Sequence, residues 1–357
     1  MTNLAILYRK QRRREEAEKL ETQVLEARKK VQGEEHPNTL ASMRTLASIY
    51  WTQGRLEESE RLDSQVVEIS KRVLGENHHD TLLAMGNLSL TYSSQGQHDK
   101  ATELALHVIG LCQKVLGAEH PTTLENISTL SSIYQNQGQY DTAAELELHT
   151  AELRQKILGL GHPDTLTSMG TLATIFRYQG RYDEAERYDL ITMKGFQEVF
   201  GAEHPSTLIS MNNLGATYAH QKQYAKAAEL FFHIMEQKKK ILGADDPETL
   251  ASMASLASVY QNQKEYDKAS ELHSITLELR QKVLGPEHSR TLDTMHNLAV
   301  AWKSQGKDTE AINLMASCLQ LKTKTLGANN ASTESAADWL NYWQTSKIDG
   351  DNLQNSD

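Results

Sequence analysis

LGAEHPTTLENISTLSSIYQNQGQYDTA, residues 116–143, decides the fold, because its Gly117 and Thr123 belong to two lattices that run the length of the chain. Gly33, Gly75, Gly117, Gly159, Gly201, Gly243, Gly285 and Gly327 lie forty-two residues apart without a slip. So do Thr39, Thr81, Thr123, Thr165, Thr207, Thr249, Thr291 and Thr333. Chance does not hold one register that long, so a single supersecondary unit is repeated in tandem. After each threonine the apolar residues fall on one helical face, as in Leu40, Met43, Leu46, Ala47 and Tyr50, and again in Leu208, Met211, Leu214, Gly215 and Tyr218. The pair Gln53-Gly54 and its repeats Gln95-Gly96, Gln137-Gly138 and Gln179-Gly180 then mark a helix end, since glycine supplies the left-handed residue that closes a helix. Lys222 and Lys264 stand in that glycine slot, where a strained or different turn is expected.

A second helix follows, from about Asp141 to Leu158 in the quoted unit, with Ala144, Leu148, Ala151 and Ile157 as its expected face. Near its start a small residue recurs (Ala101, Ala143, Ala185, Ala227, Ala269, Ala311), which lets two helices approach closely. Such a helix pair cannot bury its apolar face alone, but stacked neighbours form a continuous core. The sequence therefore predicts an all-α solenoid of about eight 42-residue helix-turn-helix units over residues 1–344. Residues 1–32 are a partial first unit, full units run from 39 to 327, residues 333–344 form a closing helix, and 345–357 are expected to be disordered.

The pattern Leu-Gly-x-x-His-Pro-x-Thr-Leu, then Leu-Ala-x-x-Tyr-x-x-Gln-Gly-x-Tyr-x-x-Ala, resembles the tetratricopeptide repeats (TPR) of kinesin light chains. It is closer still to the 42-residue TPR arrays that follow NB-ARC or NACHT modules in fungal receptor-like proteins. The chain shows no heptad region and no GxxxxGK[ST] loop, so it reads as neither a complete light chain nor a complete receptor. The resemblance implies a right-handed superhelical solenoid whose concave surface is lined by the first helices, where protein partners lie, and in kinesin light chains an Asn-Asn pair there grips a peptide backbone. Asn212-Asn213 matches that pair in full, Asn87 and Asn297 in half.

Composition narrows the function. Of 357 residues, 39% are hydrophobic and the formal net charge is −10, which suits a packed, self-repelling protein and opposes nucleic-acid binding. No apolar run reaches the roughly 18 residues of a membrane helix, so no membrane role is expected. Two distant cysteines, Cys112 and Cys318, support neither a disulfide framework nor a metal site and fit a cytoplasmic chain. The recurring histidines (His36, His78, His120, His162, His204, His288) share their slot with Asp246 and Asn330, which points to helix caps rather than metal ligands. No cofactor motif or catalytic constellation appears, so an enzyme is not the expected reading.

The first reading is an interaction scaffold that holds a partner peptide or helix. Its candidate groove residues are Arg44, Trp51, Asn87, Arg177, Tyr178, Asn212, Asn213, His220, His296, Asn297 and Lys303. The alternative is a small-molecule binding protein, or a noncanonical enzyme, with an aromatic pocket. All five phenylalanines fall between 176 and 232, and Phe176, Tyr178, Phe196, Tyr218, Phe231 and Phe232 would line it for a small apolar ligand. Self-association through an N-terminal face, Met1–Gln11, is a third option.

Overall fold

The computed structural model describes residues 14–354, so the N-terminal face Met1–Gln11 lies outside the described residues. By internal contacts the chain divides into two units, Met1–Arg181 and Tyr182–Asp357. The first contains α1 (Arg14–Gln32), α2 (Pro37–Thr52), α3 (Leu56–Leu74), α4 (His79–Ser94), α5 (His98–Leu116), α6 (Pro121–Asn136), α7 (Tyr140–Leu158) and α8 (Pro163–Tyr178). The second contains α9 (Tyr182–Phe200), α10 (Pro205–His220), α11 (Tyr224–Leu242), α12 (Pro247–Asn262), α13 (Tyr266–Leu284), α14 (Ser289–Ser304), α15 (Asp308–Leu326) and α16 (Ala331–Gln354). Among the described residues there is no strand. Within each unit every helix packs on the one before and the one after it. The lengths alternate as strictly as the lattice: α2 has 16 residues and α3 has 19, and the later pairs repeat those values.

The two lattices have one explanation. Each glycine that ends a second helix has φ near +90°, as at Gly75 and Gly201. Its carbonyl then faces the next turn, where the lattice threonine donates its hydroxyl: Thr81 to Gly75, Thr207 to Gly201 and Thr249 to Gly243, all at 2.8 Å. The histidine between them caps the next helix. His78, His120, His162 and His204 each accept through Nδ1 the backbone N–H two residues on, at 3.2 Å, and Asp246 does the same at 2.8 Å. Asn330 caps α16 in the same way at 2.9 Å. These acceptors satisfy one of the four N–H groups a helix start leaves open.

At the other turn Lys222 and Lys264 keep the glycine conformation, with φ of 62° and 63°, so the turn is the same and the lysines carry its strain. The glutamine before it reaches back to the preceding second helix. Gln95 donates to Glu60 at 2.8 Å, Gln137 to Thr102 at 2.9 Å and Gln305 to Ser270 at 2.8 Å. The small alanines Ala101, Ala143, Ala185, Ala227, Ala269 and Ala311 are wholly buried, as close helix approach requires.

One expectation needs correction. In α7 the buried face is Ala143, Ala144, Glu147, Thr150, Ala151 and Arg154, whereas Leu148 and Ile157 are exposed. The seam between helix pairs selects the face, and polar residues with partners inside it win over aliphatics that point out. The last helix, α16, spans Ala331–Gln354.

Candidate ligand-binding face

The first helix of each pair presents two adjacent slots that vary from unit to unit, and they do not face the same way. The slot of Arg44, Ser128, Asn212 and His296 is half-buried and leans into the seam. Ser128 donates to the buried Glu147 at 3.1 Å, and a β-carbon on Gly86, in the same slot, would lie 2.8 Å from Asn126 Oδ1. Arg44 reaches Asp80 at 3.8 Å. His296 Nδ1 is buried without a partner, and burial, then the nearby Lys322, pull its pKa down.

The next slot is more open. Asn87 is exposed and Asn297 half-buried, and no hydrogen bond among the described residues occupies either amide. Asn213 is half-buried and Asn212 beside it likewise. An amide offers donor and acceptor together, which is what a peptide backbone matches.

The candidates at the ends of the first helices each contact another side chain. Trp51 Nε1 donates to Ser94 Oγ at 2.9 Å while its ring stays exposed. Tyr178 stacks on Tyr140, with ring centroids 5.3 Å apart and an interplanar angle of 3°. His220 stacks on Tyr182 at 5.3 Å and 7°. Arg177 donates to Thr174 Oγ1 at 3.2 Å, and Lys303 pairs with Asp308 at 3.0 Å.

Of the aromatic candidates, Tyr218 and Phe231 meet in the core of the second unit. The Phe231 ring lies 3.0 Å from where a Gly215 β-carbon would be, so the ring fills the space that glycine leaves. Phe232 points outward and is 51% exposed. Phe196 is buried and stacks on Phe200 at 5.9 Å. Phe176 is buried beneath the Arg181 guanidinium, 4.3 Å from the ring centre.

Sequence reasoning missed a column of buried ionisable groups. One slot of the second helices holds Asp63, Glu147, Asp189 and His273, none more than 3% exposed, and Phe231 and Met315 in other units. Asp63 accepts from Thr91 at 2.8 Å, yet burial pushes its carboxyl up to about 6. Asp189 accepts from Thr217 at 2.6 Å. Burial also raises Glu147, against the hydroxyls around it and Arg154. Neither ring nitrogen of His273 has a partner, and burial, then Arg280, pull its pKa down to about 4. The signal was present: this slot lies four residues after the small alanine and so shares its face.

In the first unit a cleft of about 400 Å³ opens between α6, α7 and α8, beside the open slot at Thr129 and Thr171. Among the described residues no group of three or more His, Cys, Asp or Glu side chains is placed to hold a metal ion. No helix there is long and apolar enough to cross a membrane.

Comparison with known proteins agrees with this geometry. The family profile described as tetratricopeptide repeat matches residues 1–63, 45–114, 95–156, 124–190, 175–240 and 248–324. No curated protein matches the chain. A protein named as a kinesin light chain from Podospora anserina, with nearly identical TPR-like repeats, is 29% identical. The match covers 57% of this chain and 96% of that one, with a TM-score of 0.53. BtubC from P. vanneervenii is 19% identical over 66% of this chain and 92% of its own, with a TM-score of 0.53. A signal transduction ATPase with numerous domains and a TPR sensor, from Pyrococcus horikoshii, is 14% identical over 92% of this chain and 50% of its own, with a TM-score of 0.65. The last two show likeness of fold alone.

Proposed function

Because the chain belongs to the tetratricopeptide repeat family, we propose that it is an interaction scaffold whose first helices hold a partner peptide or helix. The observation that carries this reading is a contrast within one molecule. The Gly–Thr bonds, the histidine caps and the glutamine ties repeat along the array, while the open slot of the first helices changes residue and leaves the Asn87 and Asn297 amides without a hydrogen bond among the described residues. A uniform frame with a diversified hydrogen-bonding face is what recognition of an extended segment requires, since main-chain bonds supply affinity and the varied side chains supply choice. Asn87 and Asn297, together with Asn212 and Asn213, are the proposed backbone-gripping residues.

The test uses the full chain and a fluorescein-labelled library of degenerate nonapeptides, read by fluorescence anisotropy. Asn87→Ala and Asn297→Ala should each weaken retention of the bound pool about three- to tenfold, as expected for a lost hydrogen bond of roughly 0.5–1.5 kcal/mol. Helicity measured by circular dichroism should stay unchanged. Undiminished binding by the double variant would discard the assignment of these asparagines.

A further inference from the structure

The cleft between α6, α7 and α8 has a chemical bias that no single residue in it declares. Ser132, Thr167 and Thr171 line it, and each hydroxyl is bonded to a backbone carbonyl one turn back in its own helix. Ser132 bonds Ser128 O at 3.1 Å, Thr167 bonds Pro163 O at 2.8 Å and Thr171 bonds Thr167 O at 3.1 Å. A carbonyl has no proton to give, so in each pair the hydroxyl is the donor. A hydroxyl has one proton and two lone pairs. With the proton spent inside the helix, only lone pairs face the cleft, and three groups that look ambivalent in the sequence act as acceptors.

The charged groups point the same way. Glu125, exposed on α6, has no ionic partner among the described residues. Asp164, in the first turn of α8, lies 3.7 Å from His162 Nδ1, but that nitrogen accepts the Asp164 backbone N–H and so carries no proton to share. Of the nearby cations, one is held in an ion pair and the other is buried against a hydroxyl. Arg154, almost wholly buried, donates to Ser168 Oγ at 2.7 Å, and Lys156 pairs with Glu119 at 3.1 Å. Behind Ser128 the wholly buried Glu147 leaves one oxygen without a partner. Leu90, Ile157 and Leu158 supply apolar wall. The volume falls within the roughly 300–1,000 Å³ typical of ligand clefts.

We infer that this cleft receives the lysine or arginine side chain of a partner peptide, its methylene stem on the leucine–isoleucine wall and its charged head among the acceptors and Glu125. The side chains that suit such a site carry an apolar stem and a head with donors only. A carboxylate or phosphate would meet lone pairs at Ser132, Thr167 and Thr171 and the charge of Glu125, with the Thr129 hydroxyl and the buried Arg154 as its donors in the lining. The inference rests on the scaffold reading and names the chemistry of the partner for the first unit.

The experiment titrates the full chain into nonapeptide pools that are degenerate except at a fixed centre: lysine, arginine, citrulline, norleucine or glutamate. Lysine and arginine pools should bind about tenfold tighter than citrulline and norleucine pools, in keeping with charge-assisted bonds, and should weaken as salt rises. Glu125→Gln should remove most of that margin, and Glu125→Lys should turn the preference toward the glutamate pool. Both are surface changes, and Asp164→Asn gives a second, independent reduction. A cationic pool that binds no tighter than norleucine, or a preference that survives Glu125→Lys, overturns the inference. If all pools bind alike and Asn87→Ala weakens them together, the scaffold stands and the cleft assignment falls. If no pool binds at all, both fall.

Discussion

The two units answer the same design question differently. At one slot of the second helices, α7 in the first unit carries Glu147 and α11 in the second carries Phe231, and both are buried. Around Glu147 the first helix supplies hydroxyls: Ser128 donates to the carboxylate, and Ser131, nearby, donates to Ala143 O at 2.9 Å. Around Phe231 the slot of Ser131 is Gly215, and the ring occupies the vacated volume. The frame fixes where the slot is, and volume and polarity are settled locally between two facing residues. Tyr218 and Phe231 therefore serve the core of the second unit, while Phe232 stays exposed.

The largest effect that tests this contrast is expected at Phe231. Phe231→Ala should destabilise the second unit by about 3–5 kcal/mol, the usual cost of removing a buried aromatic ring. Gly215→Ala alone should cost about 1–3 kcal/mol, because the new β-carbon meets a ring that its surroundings hold in place. In the Phe231→Ala background the same change should become favourable by about 1 kcal/mol, the helix preference of alanine over glycine. Urea denaturation of the four proteins gives the cycle. Additive effects would mean that glycine and ring do not compensate one another.

Next in size is a divergence with pH. Asp63 lies in the first unit and His273 in the second, and their shifts have opposite consequences. The Asp63 carboxyl is raised from 3.8 to about 6, so folding favours its protonated form. Its penalty is absent below the unfolded value and develops as pH rises to 6. His273 is lowered from 6.5 to about 4, so folding favours its neutral form, and stability is lost as pH falls from 6.5 toward 4. Between pH 6 and 4 acidification should therefore strengthen the seam around α3 and weaken that around α13, each by about 2–3 kcal/mol at most. Hydrogen exchange resolved by peptide separates the two. Asp63→Asn should flatten the first trend and leave the second, and parallel trends would refute the assignment.

What the sequence discloses follows from where the information sits. The glycine and threonine lattices are legible because each member makes the same bond in nearly every unit, and the caps because His, Asp and Asn share one acceptor geometry. The buried face of α7 is not legible from one helix alone. Leu148 and Ile157 look like core and Glu147 looks like surface until the first helix of the same pair supplies Ser128 and the next pair supplies Ser168. Tyr178 and His220 read as free groove residues for the same reason, since their stacking partners Tyr140 and Tyr182 lie a whole unit earlier in the sequence. The asparagines are legible as a slot, but which of them keeps a free amide is decided by packing.

The smallest expected effect concerns the turn between the two helices of a pair, where the units differ again. In the first unit Gly54, Gly96, Gly138 and Gly180 take the left-handed position, while in the second Lys222 and Lys264 adopt it at φ of 62° and 63° and only Gly306 is glycine. A side chain in that region costs about 1–2 kcal/mol, and glycine returns part of the gain because its unfolded chain has more freedom to lose. Lys222→Gly and Lys264→Gly should each stabilise the second unit by about 0.5–1 kcal/mol, which for a domain of that size raises Tm by about 1–4 °C. Gly138→Lys should lower the first unit by a similar amount. Both turns keep the bond from the next glutamine or glutamate N–H to the tyrosine carbonyl, Gln223 to Tyr218 at 2.8 Å and Glu265 to Tyr260 at 2.9 Å, so the backbone already matches the glycine form. A loss of stability in Lys222→Gly would show that the lysine side chain contributes more than its backbone strain removes, and Lys226, whose ammonium lies 4.9 Å from the Tyr218 ring centre, would be the neighbour to examine next.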